Sequence, residues 1–410
     1  MKSARIGLVI GLVAFGPVGC VNSAGPAPGP AKGEPGGVVA PPVDATANPA
    51  PVSTAPIPPA QARYCVYDIG AVDTSDEGYE PVHINQQGAV AWSSRSRAFL
   101  YKNGTSVALG DLGGHQTIAK AINDGGVVVG KSLDKNRRWR AFSWSGGQMQ
   151  DLGGPDQQEA LGINSNPQGV TIIGIQAPPN VRFNQDMSAN PALAPFGVRY
   201  DHGQAIPLPD PKQVPARPHP LAFAINDKGS VVGLLLNGGS STGLFWRDLQ
   251  NPWTTIRAVP GQSIPGPPPF VPVALNSANR VAGNDTVHAA VSADFVNAPT
   301  ILDPGSSTSA AYAINGHGWI VGAASPSAGL TSHAFIYDGT TMIDLNTKLV
   351  NPSGWSLEAA YAINDFGQIA GRGSFSGASP NVEEHVFLLV PKKVALTPCE
   401  ERRPELGVSQ

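Results

Sequence analysis

Charge is scarce in this sequence of 410 residues: Lys, Arg, Asp and Glu make up 14%, and the formal net charge is −3. No basic stripe is present that would neutralise a row of phosphates, so a nucleic-acid partner is not expected. The apolar stretch at the amino terminus, Ile6 to Phe15, is too short to cross a bilayer as a helix. Cysteine is limited to Cys20, Cys65 and Cys399, with no pair at zinc-ligand spacing. Absent too are H-E-x-x-H, G-x-S-x-G, a P-loop and a calcium-binding nonapeptide, so no catalytic residue, metal or cofactor is expected from motifs.

Glycine (48) and proline (40) are abundant, which points away from helical bundles and towards short strands joined by turns. A ten-residue pattern, "AINDGGVVVG" at 121–130, recurs seven times, for example as "AINDKGSVVG", "AINGHGWIVG" and "AINDFGQIAG". Its aliphatic anchors are Ile84, Ile122, Ile163, Ile225, Leu275, Ile314 and Ile363, spaced by about 46 residues, close to the blade length of propeller repeats. Each copy reads as a hairpin. Asn suits the first position of a type I turn, and the Gly three places after it supplies positive φ. A second Gly (Gly130, Gly174, Gly233, Gly283, Gly322, Gly371) reads as a bend ending the outgoing strand.

Downstream of most copies lies a second strand pair, as in "RAFSWSGGQMQDLGG" and "HAFIYDGTTMIDLN". The unit is thus four strands, a to d. On these motifs the chain resembles the HAF-repeat family of extracellular bacterial proteins. The full tripeptide is His333-Ala334-Phe335, with partial forms at Arg97, Arg140, His288 and His385. The resemblance covers about residues 64–390 and implies a secreted repeat protein, with no activity attached.

The fold expected is all-β: a β-propeller of seven four-stranded blades. The seventh unit lacks strand d, and "YCVYDIGA", Tyr64 to Ala71, reads as an orphan d strand that closes the ring. Cys65 and Cys399 flank the strands that must meet, so a disulfide between them is expected, with two unpaired buried thiols as the alternative.

Lys2 and Arg5 before the apolar stretch mark residues 1–20 as a secretion signal. It ends in "GPVGC", which resembles a lipobox and would make Cys20 the lipidated first residue of a cell-envelope lipoprotein. Pro17 departs from that pattern, and a cut near "VNSA" giving a secreted protein is the alternative. Residues 21–60, rich in Pro, Ala and Gly, form a disordered tether. The propeller then occupies 61–399 and a tail 400–410.

The a–b and most c–d turns are short, whereas the b–c and d–a connections vary widely. Long connections on a rigid scaffold are where binding resides. The candidate ligand-binding residues on that face are Tyr79, Arg182, Phe183, Arg217, Phe270 and Trp355, expected to be exposed. The turn aspartates Asp124, Asp227 and Asp365 read as turn formers, and His288, His333 and His385 as a polar strand-end position. The function expected is a monomeric, non-enzymatic module binding a protein or glycan and held to a membrane by its lipid. The alternative is a propeller enzyme, a glycan lyase or hydrolase acting over the central channel.

Overall fold

The computed structural model describes residues 56–72, 81–154, 157–177, 195–209, 220–237, 240–256, 270–295, 297–303, 308–325, 331–352, 354–375, 383–392 and 399. The signal, Cys20, most of the tether and the tail lie outside them. Ile57, in the segment read as tether, packs on the core of the closing blade.

The closing strand is β1 (Arg63–Val72). Blade 1 is β2 (His83–Ile84), β3 (Val90–Ser94), β4 (Arg97–Lys102) and β5 (Thr105–Ala108). Blade 2 is β6 (Gly113–Ile122), β7 (Val128–Asp134), β8 (Trp139–Ser145) and β9 (Gln148–Asp151). Blade 3 is β10 (Gln158–Ile163), β11 (Ile172–Gln176), β12 (Phe196–Asp201) and β13 (Gln204–Pro207). Blade 4 is β14 (Leu221–Ile225), β15 (Val231–Asn237), β16 (Ser240–Trp246) and β17 (Thr254–Thr255). Blade 5 is β18 (Val271–Leu275), β19 (Val281–Asn284), β20 (Ala289–Ser292) and β21 (Thr300–Ile301). Blade 6 is β22 (Thr308–Ile314), β23 (Ile320–Ser325), β24 (His333–Tyr337) and β25 (Met342–Asp344). Blade 7 is β26 (Trp355–Ile363), β27 (Ile369–Phe375) and β28 (Glu383–Lys392), with β1 as its fourth strand.

The chain is therefore an all-β propeller of seven four-stranded antiparallel blades. Strand β1 pairs with β28 from Arg63 opposite Lys392 to Val72 opposite Glu384, as expected from the orphan strand. Cys65 and Cys399 form a disulfide with Cα atoms 5.7 Å apart, which settles the cysteine alternatives in favour of the bridge. Strand β1 and Cys399, near the two ends of the described residues, are thus locked into one blade.

The turn glycines hold the positive φ their turns require: +74° at Gly88, +75° at Gly126 and +81° at Gly318, with Asn279 at +61° replacing Gly in the fifth copy. The second glycines differ from expectation. They lie inside strand b, which continues past them. Their role is space: in six blades strand a carries a bulge opposite them, which pushes a carbonyl across the pair. A Cβ on Gly130 would lie 2.0 Å from the Ile118 carbonyl oxygen, and one on Gly322 would lie 1.9 Å from that of Ala310. The vacant side chain also seats an aromatic ring from strand c. Phe335 lies over Gly322, and Phe387 over Gly371. The Phe of the His-Ala-Phe tripeptide and the second Gly of the hairpin are thus two halves of one contact.

Buried side chains among the described residues fall into seven clusters, each lodged between neighbouring blades. The repeat's Ile faces the preceding blade, as Ile122 does with Ala91 and Leu100, and the residue before it faces the next, as Ala121 does with Ala160 and Ile163. No blade can bury its own faces alone; the ring is the folding unit.

Candidate functional site

The a strands contact one another in a closed inner circle, so their ends define the axis of the disc. At the tight-turn end stands the repeat's Asn, one from each blade, all 2–5% exposed. Each side-chain amide donates to the backbone carbonyl of the Asn in the next blade. The bonds run Asn85 to Asn123 (3.0 Å), Asn123 to Asn164 (3.2 Å), Asn164 to Asn226 (3.4 Å) and Asn226 to Asn276 (2.9 Å). They continue from Asn276 to Asn315 (3.0 Å) and from Asn315 to Asn364 (3.1 Å), and return from Asn364 to Asn85 (3.0 Å). Seven hydrogen bonds close on themselves.

A second, incomplete circle of five bonds lies beside the first. The amide after the Asn donates to the side chain at the same place in the next blade: Gln86 to Asp124 (2.9 Å), Asp124 to Ser165 (2.9 Å), Ser165 to Asp227 (2.6 Å), Gly316 to Asp365 (2.6 Å) and Asp365 to Gln86 (2.9 Å). The turn aspartates are therefore inter-blade clasps as well as turn residues.

One step along strand a, the bulges hold Lys120, Leu161, Phe223, Val273, Tyr312 and Tyr361. Tyr312 and Tyr361 lie ring against ring at 4.9 Å. Lys120 meets Glu159 of the next blade at 3.3 Å, and Lys131 meets the same carboxylate at 3.4 Å. Burial pushes the Glu159 carboxyl up, but Lys131 and Lys120 outweigh it and hold the group below the ordinary carboxylate range. His83 stands where the other blades have Ala or Gly, and burial together with the Lys120 charge pushes its imidazole down to about 3.

Strand c's polar slot has a defined use. His333 Nδ1 meets Asp344 at 2.8 Å, His385 Nδ1 meets Asp68 at 3.1 Å, and Arg140 grips Asp151 through two nitrogens at 2.9 and 3.3 Å. In blades 2, 6 and 7 the Arg or His of strand c thus pairs with the Asp that precedes the Leu or Ile of strand d, whereas in blade 5 Ile301 takes that place and His288 lies 3.9 Å from Asp285. In blade 1 that slot holds Ala108, because Leu109, not Leu112, takes the Leu place by bonding Ala98. Among the described residues no three His, Cys, Asp or Glu side chains gather as a metal site.

At the long-loop end, Trp355 starts β26 and stacks on Phe375 at the end of β27, 4.9 Å between ring centres. Its edge faces His385 at 6.3 Å and Phe387 at 6.1 Å. Trp355 is half-buried rather than fully exposed. Deeper in the same blade, Arg372 reaches Glu384 at 3.8 Å and the Ser93 carbonyl at 3.3 Å, while Ser374 donates to Glu358. Burial raises the Glu384 carboxyl, Arg372 opposes the shift and Glu358 adds to it, leaving the group above its ordinary range.

Phe270 corrects the sequence expectation. It is 1% exposed, in the core between blades 4 and 5, because its ring fills the space left by Gly283, where a Cβ would lie 2.5 Å from the ring. Tyr79, Arg182, Phe183 and Arg217 lie outside the described residues.

Sequence reasoning missed a groove on the opposite side of the disc. Two-residue turns join strands c and d in blades 1 to 3, but seven residues do so in blade 4 (247–253) and in blade 5 (293–299). Between these two loops lies a groove of about 490 Å³. The unequal loop length was the available signal.

Fold and inner clasps together define a seven-bladed propeller whose polar repeat residues hold blade to blade. Among solved structures the chain is similar to the extracellular domain of a hybrid two-component system from B. thetaiotaomicron, with 10% identity, a TM-score of 0.45, and coverage of 81% of this chain and 41% of that one. It is also similar to a puromycin-hydrolyzing peptidase of Mycobacterium tuberculosis (13% identity, TM-score 0.44, 86% and 57% covered) and to TolB from Acinetobacter baumannii (14%, 0.35, 58% and 63%). The chain spans less than two thirds of each of these structures. No protein-family model and no curated protein matches the sequence.

Proposed function

We propose that the chain is an exported HAF-type repeat protein, anchored to the cell envelope through a lipidated Cys20, that acts as a non-enzymatic binding or scaffold module. Its partner, a protein or glycan, docks on the long-loop face. The observation that carries this reading is the unequal use of polar groups on the two faces. Around the axis at the tight-turn end they are spent on neighbouring blades, amide to carbonyl and amide to carboxylate. At the long-loop end of blade 7, a half-buried Trp355 rests on Phe375 beside His385, an aromatic platform with polar neighbours. Partly covered aromatic anchors of this kind dominate binding energy at interfaces. In this reading Tyr79, Arg182, Phe183 and Arg217, on the connections of the same face, extend the surface. No described helix is long and apolar enough to cross a membrane, and the lipid is the attachment proposed.

A catalytic reading, a glycan lyase or hydrolase over the channel, has one observation in its favour: the Glu384 carboxyl senses the charge of Glu358 beside Arg372. Ser374 and Arg372 already engage both carboxylates, which favours a strand clasp.

The test is a screen of envelope proteins and glycans against the exported protein, followed by two variants. Trp355→Ala is expected to weaken the ligand found by about 2 kcal/mol or more. Asp227→Asn on the other face, which keeps an acceptor for the Ser165 amide, leaves affinity within about twofold. The reverse pattern would place binding on the tight-turn face. Cys20→Ser is expected to release the protein from the detergent-extracted membrane fraction.

A further inference from the structure

The groove between the c–d loops of blades 4 and 5 has a floor and two walls of different chemistry. Its floor is Phe245, 4% exposed, with Phe295 stacked on it at 4.0 Å between centres and 19° between planes. Phe295 is half-buried, so its second face borders the groove. Its φ is +60°, a left-handed backbone that bulky residues rarely adopt. That conformation is held by the loop's own clasp: Asp294 accepts from the Asn297 amide at 2.8 Å and from its side-chain nitrogen at 2.6 Å.

The wall from blade 4 repeats the device. Asp248 accepts from the Asn251 amide at 2.9 Å, from its side-chain nitrogen at 3.1 Å and from the Gln250 amide at 2.9 Å. Two loops of equal length, each pinned by an Asp to an Asn three residues on, thus face each other across a phenylalanine platform. Arg247, Asp248, Asn251 and Asp294 line the walls.

We propose that this groove is a saccharide-binding site that receives a neutral hexose unit of a glycan chain, the sugar's C–H face lying on Phe295. The lining selects this chemistry. An anion would meet two carboxylates, and a cation would meet the Arg247 guanidinium. Sugar hydroxyls donate and accept at once, so they can donate to the Asp248 and Asp294 carboxylates beside the loop clasps and accept from the Arg247 guanidinium. A flat apolar ring bordered by a few fixed polar groups gives orientation as well as contact area. Because both walls are pinned within their own loops, little ordering is left to be done on binding. The site is separate from the long-loop surface and does not depend on it.

The experiment is calorimetric titration of the full chain with cellotetraose, maltotetraose, mannotetraose and chitotetraose. At least one is expected to bind, and Phe295→Ala and Asp248→Asn are each expected to lower its affinity about tenfold or more. Phe295→Trp, which keeps a platform, retains binding and controls for misfolding of the alanine variant, with far-UV circular dichroism as a second check. Phe366→Ala, at an exposed turn of blade 7, leaves saccharide affinity unchanged. Failure of all four sugars to bind at millimolar concentration overturns the proposal. So does binding that survives Phe295→Ala, or that Phe366→Ala abolishes.

Discussion

Asn226 illustrates how much one repeated side chain carries. Its amide nitrogen donates to Asn276 O and to Asn279 Oδ1, both at 2.9 Å, and its oxygen accepts from the amides of Lys228 and Ser230 at 3.1 and 2.9 Å. All of this happens at 5% exposure, where unmet hydrogen bonds are costly. Asn226→Ala is expected to destabilise by about 1–3 kcal/mol in chemical denaturation. Asn226→Asp should be at least as harmful at neutral pH despite its matching shape, because a carboxylate cannot donate to either oxygen. Equal stability of wild type and Asn226→Asp would show that the ring of amides is not holding the blades.

Glu159 makes a second prediction at the same scale. Its folded-state carboxyl lies below the ordinary range because Lys131 and Lys120 outweigh the effect of burial. A depressed carboxylate contributes stability above its unfolded value and loses it as pH falls towards the folded one. Acidification from neutral pH to below the ordinary carboxylate range is therefore expected to destabilise the wild type. Glu159→Gln, less stable at neutral pH because the buried Lys120 and the half-buried Lys131 lose this carboxylate, should show a flatter acid limb in thermal melts. Parallel pH profiles for the two proteins would contradict the assignment.

At the scale of elements, the hairpin and the strand-c tripeptide prove to be one packing unit. Strand a bulges, the carbonyl it displaces needs a Gly on strand b, and the aromatic ring of strand c occupies what the Gly vacates. The same device buries Phe270, which comes from strand a's entrance rather than from strand c. Hairpin and platform loops differ in length and in what holds them: the two-residue turn in blade 3 is His202-Gly203, both at positive φ, whereas the longer loops of blades 4 and 5 fold on Asp–Asn clasps. Length variation on this side of the disc thus creates a groove where the other blades present a compact turn.

At the scale of the whole molecule, closure is enforced four ways: by β1 pairing with β28, by the Cys65–Cys399 bridge, by His385 on Asp68, and by the Asn364 amide on Asn85 O. The first three depend on β1. Deleting residues 61–70 is therefore expected to destabilise far more than deleting 21–55, measured by thermal melting of the two truncated proteins. The bridge alone is worth about 2–4 kcal/mol. Native protein whose Cys65 and Cys399 both react with a thiol reagent, or truncations of equal stability, would refute the closure.

The repeat, its period and the orphan first strand are local or periodic features, and the sequence by itself determined the blade count, the four-stranded unit and the partners of Cys65 and β1. Turn chemistry was legible for the same reason: Gly at positive φ is a requirement of a few neighbouring residues. What only the tertiary structure decided are contacts whose partners lie a whole blade apart. The Asn of each hairpin is equally at home in an isolated type I turn, and nothing local says that its amide reaches a carbonyl 38 to 62 residues away, or 279 at the seam. Phe270 reads as a loop residue until Gly283 from another strand opens a place for it. The platform of Phe245 and Phe295 is likewise assembled from two blades, and stacking across an interface leaves no periodic trace in either.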